Sequence, residues 1–109
     1  MLSWSDFEKV DIRVGTILEA KEFPKARKPA YQLLIDFGDA GIKRSSAQIT
    51  KYYPVQSLAG QQVIAVINFP PKQIADFISE CLVLGIYDEN KDVVLLKPSH
   101  TVSNGLKIG

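Results

Sequence analysis

The sequence predicts an all-β domain: a small barrel of about five main strands, with a short helix before the first and another between the third and fourth. Three observations predict it. Val10 to Ala20 alternates in hydrophobicity with period two, the mark of a long half-buried strand. Two runs, Val63 to Phe69 and Cys81 to Ile86, are apolar on both faces and are joined through a Pro-Pro turn at Pro70-Pro71. Turn chemistry, Gly38-Asp39-Ala40-Gly41 and Asn104-Gly105, falls between the runs. At 109 residues the chain is read as one domain, because two cores would each be too small to fold well.

The elements follow in order. Ser5-Asp6-Phe7-Glu8 has the spacing of a capping box and predicts a helix over about Asp6 to Lys9, with Trp4 or Phe7 packing onto the domain. In the first strand Val10, Ile12, Val14, Thr16, Leu18 and Ala20 share one face, and Asp11, Arg13, Gly15, Ile17 and Glu19 the other. Gly15 marks a bulge or bend. Lys21 to Pro29 reads as an exposed loop with two prolines and four basic residues. Ala30 to Phe37 is a second strand, with Tyr31, Leu33, Ile35 and Phe37 on its apolar side. Ile42 to Ile49 is a third and unusually polar strand. Thr50 to Leu58 holds an irregular helix interrupted by Pro54 and ended by Gly60. Gln61 to Phe69 and Cys81 to Tyr87 are the fourth and fifth strands, Val93 to Leu96 a sixth, and Leu106 to Ile108 a last short one. This order is that of an OB-fold, a partly open Greek-key barrel, with an SH3-like barrel as the alternative. So small a barrel cannot bury two adjacent strands that are apolar on both sides. One face is expected to meet another molecule, most simply a twin in a closed homodimer.

Catalytic hardware is scarce. His100 is the only histidine, and Cys81, the only cysteine, sits in an apolar strand as a small hydrophobe. One His and one Cys supply no zinc site, and no phosphate-binding glycine motif is present. Binding without catalysis, cofactor or metal is the expectation. A net charge of +1 weakens the picture of a uniformly basic nucleic-acid binder and leaves room for a local basic patch. The absence of a signal-peptide pattern and of a disulfide predicts a cytoplasmic protein. No apolar run approaches the roughly 20 residues that would insert into a membrane.

Three features read as binding surface. The basic loop, Lys21, Lys25, Arg27 and Lys28, can follow a phosphate backbone, although taken alone it reads as a solvated loop. The third strand puts Arg44, Ser46 and Gln48 on one face and Lys43, Ser45 and Ala47 on the other. The first trio suits sugar, phosphate, base edges or peptide backbone, and equally suits a solvent-facing edge. Asn68, Lys72 and the Ser79-Glu80 pair surround the Pro-Pro turn, where ordinary turn chemistry explains the same residues.

VDIRVGTI at 10–17, DFG at 36–38, Ser46-Ala47, NFPPK at 68–72 and SECLVLG at 79–85 resemble the OB-fold tRNA-binding domain, found at the C-terminal end of some methionyl-tRNA synthetases and in free-standing tRNA-binding proteins. Asn68, Pro71, Lys72, Ser79, Glu80 and Leu82 carry its signature spacing. KARKPAYQLLIDFG, SSAQIT and VIAVINFPPKQIA are similar to its branch of small export-related chaperones of the CsaA type. The resemblance implies a homodimer, tRNA binding as the ancestral property, and, for that branch, binding of unfolded or secretory polypeptides and contact with the secretion machinery. On the tRNA reading Arg13, Lys43, Arg44 and Lys72 contact phosphates, while Ser46, Gln48, Asn68, Ser79 and Glu80 read riboses or bases. On the polypeptide reading Phe69, Pro70, Ile74, Phe77 and Ile78 line an apolar groove. Ile74-Ala75 stands where the synthetase-type domain usually has Met-Arg, which removes a phosphate contact. Asp76 and Phe77 stand where relatives usually carry a glycine, so Asp76 adds a negative charge beside the proposed nucleic-acid face.

Overall fold

The structure, a computed structural model, describes residues 1–109. It has a short helix, α1 (Trp4–Glu8), and nine strands: β1 (Ile12–Glu22), β2 (Tyr31–Asp36), β3 (Ile42–Ala47), β4 (Gln62–Val66), β5 (Lys72–Ile74), β6 (Phe77–Ser79), β7 (Leu82–Val83), β8 (Gly85–Tyr87) and β9 (Val93–Leu95). An antiparallel sheet in the order β3-β2-β1-β4-β7 curls into a nearly closed barrel, and β5-β6 and β8-β9 are separate hairpins. This is the expected OB-fold. No helix is long and apolar enough to cross a membrane.

The barrel closes by one backbone bond and several side-chain bonds rather than by a full ladder. β3 faces the segment after β6, where Glu80 N–H donates to the Arg44 carbonyl (2.8 Å). In return Arg44 N–H donates to Glu80 Oε1 (2.9 Å) and Ser46 N–H to Ser79 Oγ (3.1 Å). Ser45 Oγ, fully buried, donates to the Cys81 carbonyl (2.9 Å). Each bond satisfies a strand-edge group that would otherwise face the seam unpaired.

β2 behaves as its alternation predicts: Tyr31, Leu33, Ile35 and Phe37 are all buried and meet Ile17, Val63 and Leu58 in the core. β1 does so only in part. Gly15 and Ile17 face the main core, Val14 on the opposite face is buried as well, and Leu18 points outward, 43% exposed. A Cβ on Gly15 would lie 2.7 Å from both Ile35 and Phe37, so the strand needs glycine for close approach to β2. The bulge falls later, between Ile17 and Glu19. It lets Ile17 and Ala20 both turn toward the core across the extra residue Leu18.

Four other expectations are corrected. The capping box is Ser3 and Asp6, two residues earlier than the sequence reading: Asp6 N–H donates to Ser3 Oγ (3.1 Å) and Ser3 N–H to Asp6 Oδ2 (3.3 Å). The earlier start completes the helix before the chain must turn into β1. Trp4 is exposed and Phe7 half-buried. The predicted fifth strand splits at Leu84, because β7 stays on β4 while β8 leaves to pair with β9. The loop after Pro71 is a hairpin, with Ile74 paired to Phe77 across a turn at Ala75 and Asp76. Finally, Lys21 and Glu22 belong to β1, and the loop after them is exposed except for buried Phe23 and half-buried Ala26.

The C-terminal segment fills the edge of β1 that β2 leaves free. Val14 N–H donates to the Leu106 carbonyl (3.1 Å) and Gly105 N–H to the Val14 carbonyl (2.8 Å). Arg13 pairs with Lys107 as an isolated bridge, so the expected final strand is present only as this contact.

Candidate macromolecule-binding groove

Phe23, Ala30 and Phe77 form a second small core outside the barrel, flanked by Ala26 and Ile74. The rings of Phe23 and Phe77 lie 5.5 Å apart, tilted at 58°, within the range of favourable aromatic pairs. This cluster joins the basic loop to the β5-β6 hairpin. Phe23 anchors the loop at its start and Ala30 at its end, so the cations between them are held over the barrel. The hairpin tip is fixed from the other side, where Lys25 Nζ lies 2.9 Å from Asp76 Oδ2.

Between loop, hairpin and the outer face of β3 lies an open groove of about 670 Å³. Lys25, Arg27, Lys28 and Lys72 line it, with Ser46 and Gln48 as its polar floor and Ile74 and Ala75 on the hairpin side. The alternation of β3 sends Ser46 and Gln48 outward while Ser45 and Ala47 enter the core. Arg27, Lys28 and Lys72 have no carboxylate within 4.0 Å. Lys25 is the exception. Its bond to Asp76 raises the Lys25 ammonium above its usual range and holds the Asp76 carboxyl below its own. Across the hairpin lies a second pocket of about 400 Å³, where Arg44 and Lys21 face Glu19, Asp76 and Phe77.

The residues singled out from sequence therefore divide. Ser46, Gln48 and Lys72 converge in the groove, and Arg44 is exposed in the neighbouring pocket. Lys43 lies on the inward face of β3 with Ser45 and is half-buried. The hydrogen-bonding atoms of four others are engaged within the chain. Arg13 Nε donates to Asp11 Oδ1 (2.6 Å) and its Nη1 to the Gly105 carbonyl (3.0 Å), tying β1 to the C-terminal segment. That hydrogen bond holds the Asp11 carboxyl below its ordinary range. Asn68 Oδ1 accepts from Asp11 N–H (3.0 Å) and its Nδ2 donates to the Lys9 carbonyl (2.7 Å), pinning the end of α1. Ser79 and Glu80 close the barrel seam.

Of the apolar candidates, Phe69, Pro70 and Ile78 are exposed and Ile74 is half-buried in the groove wall. Phe77 is 8% exposed, so it is a support beneath the hairpin rather than a ligand-facing residue. Its partner Phe23 is distant in sequence, which hides the burial from any local pattern. Lys25, Arg27 and Lys28 are the groove residues that sequence reasoning set aside as a solvated loop. The signal was the apolar pair that brackets them, Phe23 and Ala30. Cys81 is buried, and burial pushes its thiol up to about 11, so it is un-ionised at neutral pH.

The fold and site together define a nearly closed OB barrel with a cation-lined groove across β3. The particular family follows from residues 12–107, which match the family described as "Putative tRNA binding domain"; the chain belongs to it. Two solved structures are alike over the whole chain: chaperone CsaA from Bacillus anthracis, 54% identical with a TM-score of 0.94, covering 100% of this chain and 99% of that one, and CsaA chaperone protein from Picrophilus torridus, 53% identical with a TM-score of 0.93, covering 100% of both. The methionine–tRNA ligase of Methanocaldococcus jannaschii is 34% identical over 95% of this chain, which spans only 16% of that enzyme. The likeness concerns one domain-sized part of the ligase.

Proposed function

We propose that this chain is a CsaA-like chaperone, a non-catalytic cytoplasmic module that holds unfolded or export-bound polypeptides and works beside the secretion machinery. The observation that carries this reading is the full-length likeness to two CsaA chaperones. The groove is consistent with it. Its polar floor can bond peptide main chain, Ile74 in its wall and the exposed Ile78 on the other face of the hairpin offer apolar contact, and its cations suit acidic stretches. Phe69 and Pro70 extend the apolar surface at the base of the hairpin. A homodimer is part of the proposal. Leu82, Ile86 and Tyr87 are 48%, 57% and 75% exposed on the β7–β8 surface, where a second copy would cover them. The test is light scattering during refolding of several chemically denatured clients. Suppression of aggregation is expected, weakened by Ile78→Ser, which changes an exposed side chain. No suppression with any client would overturn the reading.

A second reading, tRNA binding, is favoured by one specific observation: Arg27, Lys28 and Lys72, unpaired by carboxylates, stand around Ser46 and Gln48 in the same groove. The family match supports it. Titration with tRNA should then show affinity falling steeply with salt. Absence of saturable binding at low salt would remove it.

A further inference from the structure

Asp76 is the only carboxylate at the hairpin tip, and its position is unusual for the charges around it. On one side its Oδ2 lies 2.9 Å from Lys25, which lines the groove. On the other it lines the pocket that holds Arg44 and Lys21. Without it, Lys72, Lys28, Arg27 and Lys25 would continue across the tip to Arg44 as one cationic track, which ends at Lys21, paired with Glu19 at 3.9 Å. The ion pair adds little to the stability of the fold. The side chains of Lys25 and Asp76 are 70% and 60% exposed, and solvent screens such pairs. Phe23 and Phe77 already hold hairpin and loop together. The backbone even bears strain to present this tip: Ala75, the residue before Asp76, has φ +53°.

We propose that Asp76 sets the ligand class of the groove, holding Lys25 neutralised and splitting the cationic track so that polypeptide is favoured over a polyphosphate backbone. This rests on the groove being the ligand seat, as proposed above. A phosphate entering beside Lys25 meets the carboxylate, and a like charge about 6 Å away in water lowers affinity about threefold. A peptide carbonyl carries no net charge and meets no such opposition.

The test is a four-cornered comparison of the full chain, Asp76→Asn, Lys25→Met and the double variant, with unmodified tRNA as probe and a denatured client protein in parallel. Circular dichroism melts check that each variant folds. Asp76→Asn should tighten tRNA binding about threefold at low salt and steepen the log K against log salt slope by about 0.9, the contribution of one further phosphate contact. Lys25→Met should leave the slope near the parental value, because Asp76 already withholds that contact, and the double variant should show no steepening over the parent. Client suppression should not rise in Asp76→Asn. If Lys72→Met flattens the slope while Asp76→Asn leaves it unchanged, the role of Asp76 is refuted and the groove stands. If neither variant moves the slope, the groove reading itself falls, and this inference with it.

Discussion

Replacing Phe77 with alanine separates a structural support from a ligand contact. Phe77 is 8% exposed and belongs to a cluster whose other buried members are Phe23 and Ala30. Truncating a buried Phe costs about 3–5 kcal/mol, and a cluster this small and close to the surface places the loss near 3 kcal/mol. Of that, about 0.5–1.5 kcal/mol belongs to the ring pair with Phe23. At about 4 °C per kcal/mol the midpoint should fall by about 12 °C. Urea and thermal melts measure the total. A double-mutant cycle with Phe23→Ala isolates the pair, which should appear as non-additivity. Hydrogen exchange reports whether the opening is confined to the hairpin, in which case amides between Gln73 and Ser79 lose protection before those of β2. Ligand binding should weaken in parallel with hairpin protection. A variant within about 0.5 kcal/mol of the parent, still losing its ligand, would refute the argument and return Phe77 to the binding surface.

Three further outcomes are expected. Ala75→Gly should stabilise the chain by about 0.5 kcal/mol in urea melts: a left-handed alanine costs about 1–2 kcal/mol, and the added freedom of the unfolded glycine returns part of that. Ser79→Ala leaves the Ser46 amide at the barrel seam without its acceptor, so stability should drop by about 1 kcal/mol and the Ser46 amide should exchange faster. Burial raises the Cys81 thiol from 9.0 to about 11, so its contribution is fully present below pH 9 and is lost as pH rises toward about 11. Across that window the parent should lose roughly 2–3 kcal/mol more than Cys81→Ala, and identical alkaline limbs would count against the buried thiol.

Much of the barrel was legible because period two survives wherever a strand is regular. β2 and the outward trio of β3 needed nothing more. β1 failed for two local reasons. Gly15 has no side chain to mark its face, and the extra residue Leu18 reverses the phase beyond it. The β5-β6 hairpin was missed because each strand is three residues long and its turn, Ala75-Asp76, lacks the glycine that usually announces one. The site was legible only in part. A polar residue at a signature spacing does not reveal whether its partner lies inside or outside the chain. The hydrogen bonds of Asn68 reach back to Lys9 and Asp11, and those of Ser79 and Glu80 to Ser46 and Arg44. The basic loop shows the opposite case. Its charge was plain, but its placement over Ser46 and Gln48 depends on Phe23 meeting Phe77.

The groove between the Lys25–Lys28 loop, the hairpin and β3 is the proposed seat of a bound macromolecule. A photoreactive side chain placed at Gln48, on the groove floor, and another at Gln61, in the polar pocket beside Lys97, compare that seat with a surface outside it. With a denatured client and with tRNA, irradiation should give adducts from position 48 and few from position 61. Equal yields from both positions, or adducts from position 61 alone, would contradict the account.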